Sequence, residues 1–212
     1  EVAIRKVGVR DLNYPVTVLD KTEGSQHTVA NINMFVDLPH HYRGTHMSRF
    51  VEVLERHTVD FHPQGLEEIL DDMHKSFECE TAHLEISFPY FMRKKAPVSG
   101  ITSLLEYKCH ILAEKKDKLH LKLMVEVPVT NLCPCSKEIS KYGAHSQRGT
   151  IRIKIVTNHL IWVEELVKIA EESASSPLYT LLKRIDEKHV TEAAYENPRF
   201  VEDSAREVAV RL

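Results

Sequence analysis

The amino-acid sequence predicts an α+β fold in which antiparallel sheets carry helices packed on one face. Two observations lead to this prediction. Segments in which apolar and polar side chains alternate, as in half-buried strands, are interspersed with segments whose apolar residues recur at helical spacing. The segments follow the order strand, strand, helix, helix, strand, strand, and this order begins again in the second half of the chain. The repetition predicts two tandem units of similar architecture.

The first half of the chain contains four predicted strands. Residues 29–38 alternate clearly, and residues 16–19 predict a partner strand that a turn over residues 21–26 joins to them. After two helices, residues 84–90 alternate again, and residues 101–112 predict the fourth strand. These segments are expected to form antiparallel sheet.

Two helices are predicted between the strand pairs. Ser48 is a suitable N-cap for the first, and Pro63 stands near the start of the second, where a missing amide hydrogen is tolerated. Apolar residues at helical spacing give each helix one face for burial. The residues predicted to face inward are Phe50, Val51 and Leu54 in the first helix, and Leu66, Ile69, Leu70, Met73 and Phe77 in the second.

The second half begins with the clearest strand, residues 119–129, and a further strand is predicted at residues 151–155. A helix is predicted from about Asn158, and shorter helical segments at residues 177–184 and 191–196. The side chains predicted to face inward from the first of these helices are Trp162, Val163, Leu166, Val167 and Ala170.

The last helix is predicted to begin with Asn197 as N-cap and Pro198 as its first residue. Its predicted inward side chains are Val201, Ala205 and Val208. The first unit is therefore predicted to span residues 1–115 and the second residues 116–212, without the two return strands that complete the first. We expect the natural protein to continue beyond Leu212.

Composition and charge exclude several classes of function. The formal net charge of −3 gives no overall attraction to nucleic acid, so any anion site must be local. No apolar run approaches a membrane span, and the seven glycines form no phosphate loop. Four cysteines are too few for a disulfide framework here, which predicts a cytoplasmic protein. Cys79 and Cys109 lie in or beside strand segments and are expected to be buried.

The segment between the two strands of the second half has no apolar periodicity and is predicted to be a long functional loop. It contains Cys133, Pro134, Cys135 and His145. A thiolate and an imidazole twelve residues apart can meet at one divalent metal. The proline stiffens the Cys-x-Cys spacing, which favours one cysteine as ligand and the other as a free, reactive thiol. The alternative is a pair of incidental loop cysteines.

Two carboxylates in the last third of the chain are candidate site residues. Glu187, in the charged run 183–189, can supply an oxygen ligand that leaves the metal a position open for water. The alternative is a solvated charge run. Glu202 lies early in the last helix, where its oxygens can accept hydrogen bonds from adjacent N–H donors of a purine or pterin. The alternative is an ion pair with Arg206.

Several cations can serve phosphate groups. Residues 40–49, between a strand and a helix, are rich in histidine and arginine, and a helix N-terminus with arginine suits phosphate oxygens. The alternative is helix capping among surface histidines. The cations in question are Arg43 and Arg49 here, and Lys94, Lys95, Lys137 and Arg148 in other predicted loops.

Four segments form a specific combination. They are residues 131–148, which contain the pattern Cys-Pro-Cys-Ser-Lys…Gly-Ala-His-x-Gln-Arg, and residues 43–49, 96–100 and 196–203. Together they resemble type IB GTP cyclohydrolase, an enzyme of the tunnelling-fold superfamily, and the likeness covers nearly the whole chain. The resemblance implies tandem tunnelling-fold (T-fold) units, homotetramers built around shared β-barrels, and active sites between subunits.

The resemblance also implies an activity, which is the conversion of GTP and water to 7,8-dihydroneopterin triphosphate and formate in folate biosynthesis. The implied ligands of a divalent metal (zinc, manganese or ferrous iron) are Cys133, His145 and Glu187. Cys135 matches a second cysteine that the reaction needs, and with the neighbourhood of His145 it is a candidate for proton transfer. Glu202 matches the residue that holds the purine ring.

For the triphosphate we expect Arg43, Arg49, Lys137 and Arg148 as ligands. The family also carries a histidine in a strand near its C-terminus, for which the sequence up to Leu212 has no counterpart.

Three other functions compete with this interpretation. A related tunnelling-fold enzyme would share Cys133, His145 and Glu202 but release a cyclic phosphate product. A non-catalytic module with a structural zinc would use Cys135 as an additional ligand. A nicotinamide-dependent nitrile reductase of the same superfamily would need a reactive cysteine and no metal. The sequence also leaves open whether the product feeds folate or a modified tRNA base.

Overall fold

The computed structural model describes residues 2–40, 42–57, 62–157 and 159–212. The strands are β1 (Ile4–Asp20), β2 (Gly24–Leu38), β3 (Ala82–Lys95), β4 (Thr102–Lys115), β5 (Leu119–Leu132), β6 (Ser146–Thr157) and β7 (Ser176–Pro177). The helices are α1 (Ser48–Arg56), α2 (Pro63–Phe77), α3 (Pro134–Ile139), α4 (Val163–Glu172), α5 (Arg184–Glu196) and α6 (Val201–Arg211).

The strands form one sheet in the order β1-β2-β3-β4-β5-β6, with β7 paired to β5. β1 pairs antiparallel with β2, and β2 with β3. The hairpin between β1 and β2 is tighter than the predicted turn because Asp20 Oδ1 accepts the amides of Thr22 and Glu23, both at 2.8 Å. Gly24 follows at φ 83°, a conformation that glycine adopts without strain. The α+β prediction with antiparallel strands is therefore confirmed.

The alternation of β2 has the predicted effect on burial. Ala30, Ile32, Met34 and Val36 are all buried, whereas Leu38 at the strand end is only half-buried. In β5 the buried residues are Leu121, Leu123, Val125, Val127, Val129 and Leu132. Of the two cysteines predicted to be buried, Cys109 is buried and Cys79 is half-buried.

The predicted helices over residues 48–77 are present, with two corrections. The N-cap of α1 is Met47 rather than Ser48. Val51 is 42% exposed, and Val53 is buried in its place. Val53 lies three residues after Phe50 and so shares its face, whereas Val51 is turned about 100° away. Phe50 stacks on Phe77 of α2, with ring centroids 4.2 Å apart.

The predicted long loop after β5 contains a short helix, α3, whose first residue is Pro134. The helix predicted from Asn158 begins only at Val163, and Asn158 itself lies outside the described residues. The helix predicted over residues 177–184 is wrong, because Pro177 pairs with Val129 as part of β7.

The last two helices also differ from prediction. α5 extends over thirteen residues from Arg184, well before the predicted segment. Asn197 is the C-cap of α5 rather than the N-cap of α6, because its side-chain amide donates to Ala174 O at 3.0 Å. α6 therefore begins at Val201, which is 74% exposed instead of buried, and its buried residue is Ser204.

The chain divides into two compact units. The first is Glu1–Pro89, Cys109–Met124 and Lys154–Trp162, and the second is Tyr90–Lys108, Val125–Ile153 and Val163–Leu212. This boundary passes through β3, β4, β5 and β6, whereas the predicted division falls between β4 and β5. The division at residue 115 concerns repetition along the chain and stays a prediction. None of the helices in the described ranges has the length and apolar character needed to cross a bilayer.

Candidate active site

The metal-binding candidates begin where β5 ends. Cys133 follows the last residue of that strand and is the N-cap of α3, with extended backbone angles of φ −71° and ψ 118°. Pro134 then occupies the first helical position, where its fixed φ favours the helix and its missing amide hydrogen leaves no bond unmade. The two cysteines of the Cys-Pro-Cys sequence therefore lie in different backbone settings. Cys133 precedes the helix, and Cys135 lies within it and is exposed.

The structure brings Cys133 and His145 together. The amide of Cys133 donates to the carbonyl oxygen of His145 at 3.1 Å. Ser136 connects the same two residues, because its hydroxyl donates to Cys133 O at 3.1 Å and accepts the amide of His145 at 3.0 Å. Hydrogen bonds thus hold the backbones of these two predicted ligands, twelve residues apart, next to each other.

The environment of Cys133 favours its thiolate. The main-chain amide of Ser136 lowers the pKa of the Cys133 thiol most strongly. Desolvation opposes it as the second-largest effect, and the Ser136 hydroxyl and Cys135 lower the pKa further. A thiolate is the form of cysteine that binds metal. By donor type, the sulfur of Cys133 and an imidazole nitrogen of His145 could hold a divalent metal such as zinc or ferrous iron.

Glu187 is not brought into this pair. It lies in the first turn of α5, exposed, and its side chain makes no hydrogen bond or ion pair with any described residue. In the described ranges no group of three or more histidine, cysteine, aspartate or glutamate side chains could hold a metal ion. Cys133 and His145 are therefore placed as a pair, and Glu187 stays a predicted ligand.

The neighbour of Glu187 has a role that the sequence did not reveal. Asp186 is fully buried and accepts the amides of Val98 and Ser99 at 2.9 and 2.8 Å and the hydroxyl of Ser99 at 2.6 Å. It also accepts the amide of Lys183 at 2.9 Å, which fixes the start of α5. The charged run is therefore solvated except at Asp186, which holds the turn between β3 and β4 against the helix that carries Glu187.

We expect Asp186→Asn to weaken folding and to flatten its dependence on pH. Burial alone would raise the pKa of Asp186, but hydrogen bonds from Ser99, Lys183 and Val98 outweigh it and hold the pKa well below its usual range. A depressed folded pKa adds stability above the unfolded pKa of about 3.9, and that stability is lost as pH falls toward the folded pKa. The free energy of unfolding of the wild-type protein should therefore decline below about pH 4 more steeply than that of the variant.

Urea unfolding at several pH values measures this difference. Glu192→Gln is the matched control, since Glu192 lies exposed on the same helix with a 3.8 Å ion pair to Lys188. The control should follow the wild-type curve. Parallel pH curves for Asp186→Asn and wild type would contradict the role of the carboxylate.

A cavity of about 810 Å³ lies between the segment after α3 and the second half of α5. Its lining includes Tyr142, Gly143, Glu192 and Tyr195. Lys137 borders this region, but its ammonium donates to Tyr195 O at 2.5 Å and lies 4.2 Å from the centre of the Tyr195 ring. This predicted phosphate ligand therefore has partners within the chain.

Glu202 has no such partner. It is exposed in the first turn of α6, and it makes no hydrogen bond or ion pair with any residue in the described part of the chain. The predicted alternative, a pair with Arg206, is not formed, because Arg206 pairs with Asp203 at 3.2 Å. The amide of Arg199 donates to Leu132 O at 3.0 Å, so the end of β5 holds the segment before α6 as well as Cys133.

The remaining cations lie in different settings. Arg43 is exposed in the segment before α1, and Arg49 donates to Ser76 O at 3.1 Å, which joins α1 to α2. Arg148 is exposed in β6 and makes no hydrogen bond or ion pair with a described residue. Lys95 is also exposed, at the end of β3.

Lys94 is not the loop cation that was predicted. It lies in β3, and its ammonium contacts Glu171 Oε1 at 2.6 Å and Leu178 O at 2.9 Å. Tyr107 donates to the same carboxylate oxygen at 2.9 Å. Burial lowers the pKa of Lys94, and Glu171 opposes this effect in part. The side chains of Lys94 and Glu171 are only 11% and 16% exposed, so the pair belongs to the interior of its unit.

Comparison with known proteins identifies the family. The family model described as type I GTP cyclohydrolase folE2 matches residues 1–212. The chain is 55% identical over 212 residues to the GTP cyclohydrolase FolE2 of Thermosipho africanus (strain TCF52B). It is 54% identical over 211 residues to the FolE2 of Pelobacter propionicus (strain DSM 2379 / NBRC 103807 / OttBd1). Each match covers 100% of this chain and 82% of the relative.

Among solved structures, uricase from Arthrobacter globiformis matches with a TM-score of 0.53 and 8% sequence identity, over 91% of this chain and 76% of uricase. That similarity concerns the fold alone. The family-model match over the full sequence, together with identities above one half, shows that the chain belongs to the type I GTP cyclohydrolase family of the FolE2 type.

Proposed function

We propose that this chain is a GTP cyclohydrolase that converts GTP and water to 7,8-dihydroneopterin triphosphate and formate, the first step of folate biosynthesis. The enzyme class follows from its family. The observation that carries the proposed site is the hydrogen-bonded pairing of Cys133 with His145 at the end of β5. Glu187 is proposed as the third ligand of a divalent zinc, manganese or iron ion.

A metal bound there would supply Lewis acidity and an activated water for attack at C8 of guanine. The side chains around it have their own tasks. Cys135 is exposed two residues beyond Cys133, and its thiol is proposed to exchange protons with the opening ring. His145 is proposed as a ligand beside Cys133, and its neighbourhood as a second candidate for proton transfer.

Glu202 is proposed to bind the guanine edge. Its carboxylate is exposed and has no partner among the described residues, so both oxygens are available to the adjacent N–H donors of guanine. Of the four cations proposed for the triphosphate, Arg43 and Arg148 are exposed and make no hydrogen bond or ion pair with a described residue. Arg49 and Lys137 are proposed for the same task. To bind phosphate, each would have to give up its hydrogen bond to a main-chain carbonyl oxygen.

We also propose a cytoplasmic homotetramer with tandem tunnelling-fold units and active sites between subunits. β1 and β6 lie at the two edges of the sheet, with seventeen and twelve residues. Long edge strands present unpaired backbone groups to which a strand of another copy can add. A shared barrel would use these edges.

The proposal is tested by stripping the protein of metal and incubating it with GTP, with and without Mn²⁺ or Zn²⁺, while formate and pterin fluorescence are followed. We expect formate and a neopterin-type triphosphate only with metal. Glu202→Gln should lose about 10–100-fold in kcat/KM, because a hydrogen bond to a charged group is worth about 1.5–3 kcal/mol.

Glu106→Gln is the control, since Glu106 is an exposed carboxylate on β4 outside the proposed site. It should keep wild-type turnover. A cyclic phosphate product would favour the related tunnelling-fold enzyme. Tight metal binding without turnover by any metal would favour the structural-zinc module, and turnover without metal would contradict the proposed site.

A further inference from the structure

The backbones of Cys133 and His145 are joined by one direct hydrogen bond and by one that a side chain bridges. In a hydrogen-bonded antiparallel pair, two opposite residues exchange both N–H···O bonds directly. Here the amide of Cys133 donates directly to His145 O at 3.1 Å. The reverse bond runs through Ser136. The amide of His145 donates to Ser136 Oγ at 3.0 Å, and that hydroxyl donates to Cys133 O at 3.1 Å.

Ser136 can bridge the pair because of its place in α3. It lies in the first turn of the helix, three residues after Cys133, so its hydroxyl reaches back to the carbonyl of the N-cap residue. The same carbonyl accepts the amide of Lys137 at 3.2 Å, the ordinary helical bond. The Ser136 hydroxyl therefore supplies a contact beyond those of the helix itself, and it joins the helix to residues on the far side of the loop.

We propose that Ser136 is a positioning residue for the metal site, which aligns Cys133 and His145 through its bridging hydroxyl before a metal binds. The inference rests on the proposed role of these two residues as ligands. A ligand pair whose backbone is already aligned loses less conformational freedom on binding, so the bridge raises metal affinity without touching the metal. Groups that orient ligands in this way are worth about 10–100-fold in affinity or activity.

Ser140 provides a matched comparison. It lies in the same segment, and its hydroxyl accepts the amide of Tyr142 at 3.3 Å. It makes no hydrogen bond to Cys133 or His145. A serine that merely stabilises the segment and a serine that aligns the ligands are therefore separated by comparing Ser136→Ala with Ser140→Ala.

The experiment measures Zn²⁺ and Mn²⁺ affinity of metal-free proteins by competition with a chromophoric chelator, and the thiolate-to-metal absorption band after Co²⁺ substitution. Ser136→Ala should bind about 10–100-fold more weakly than wild type and show an altered Co²⁺ band. Ser136→Thr, which keeps a hydroxyl, should restore most of the affinity, and Ser140→Ala should match wild type. Thermal unfolding of each metal-free protein reports on folding independently.

Wild-type affinity and an unchanged Co²⁺ band in Ser136→Ala would overturn the inference and leave the proposed function intact. Equal losses in Ser136→Ala and Ser140→Ala would also overturn it, because the effect would then belong to the whole segment. If Ser136→Ala unfolds, a folded Ser136→Thr protein with weakened binding contradicts the bridge by itself. A wild-type protein that binds neither metal would reject the proposed ligand pair, and the inference with it.

Discussion

Cys133→Ala is expected to lose tight metal binding and GTP turnover together, whereas Cys135→Ala keeps the metal and loses turnover. Cys133 is the N-cap of α3 and is hydrogen-bonded to His145, while Cys135 lies exposed within the helix. The affinity loss in Cys133→Ala should exceed about 100-fold, since even groups that only orient ligands contribute about 10–100-fold. Metal analysis of the purified variants and formate release from GTP measure the two effects.

The contrast between the two cysteines follows from their proposed roles, and each variant controls for the other. A site that uses both thiols as structural ligands predicts that both variants lose metal and unfold at lower temperature. Retention of the metal in Cys133→Ala would contradict the proposed ligand pair. Full turnover in Cys135→Ala would remove Cys135 from the reaction while leaving the metal site unaffected.

Lys94→Met is expected to destabilise the protein by about 3–5 kcal/mol, because it leaves the Glu171 carboxylate buried without its cation. The two side chains are 11% and 16% exposed and contact at 2.6 Å. Methionine keeps much of the lysine volume, so the loss reports on charge rather than on a cavity. Urea unfolding of the single variants and of Lys94→Met with Glu171→Gln gives the coupling energy between them.

Lys168→Met is the control from the same region of the chain. Lys168 pairs with Glu172 at 3.8 Å on the surface of α4, with side chains 74% and 44% exposed. Exposed pairs of this kind contribute about 0–1 kcal/mol. A loss of similar size in Lys94→Met and Lys168→Met would contradict the interior role of Lys94. The double variant should be less destabilised than the sum of its single variants.

The parts of the fold that sequence predicted well are those where burial on one face dictates the residue pattern. Ile32 and Met34 in β2, and Val125 and Val127 in β5, alternate with polar residues because only one face of the sheet is covered. The first half of β1 was missed for the opposite reason. It is an edge strand whose residues 4–12 are at least partly exposed, so its backbone pairing leaves no apolar periodicity.

The errors at helix ends arise from partners that are distant in sequence. Asparagine is a favoured N-cap residue, yet the side-chain amide of Asn197 donates to the carbonyl oxygen of Ala174, 23 residues earlier. The start of α5 depends on Asp186, whose donors in the turn between β3 and β4 are more than eighty residues away. Lys94 was taken for a loop cation because its partner Glu171 lies 77 residues later.

Residue chemistry was more informative for the site than for the fold. Thiolate and imidazole are distinctive donors, so Cys133 and His145 could be proposed as a pair from type and spacing alone. The contribution of Ser136 could not, because a serine hydroxyl reveals its partners only when the backbone on both sides of it is in place.

The contacts that place the proposed ligands differ greatly in the length of chain they close. Cys133 and His145 close a loop of only twelve residues, whereas Asp186, beside Glu187, bonds to Val98 across 88 residues. Short loops form quickly at a small entropic cost, and contacts between distant segments form late. The backbone pairing of Cys133 with His145 can therefore form while the chain is still largely open. Glu187, the proposed third ligand, reaches its final place only after the hairpin of β3 and β4 exists. Tight binding of the metal would therefore be a late event in folding.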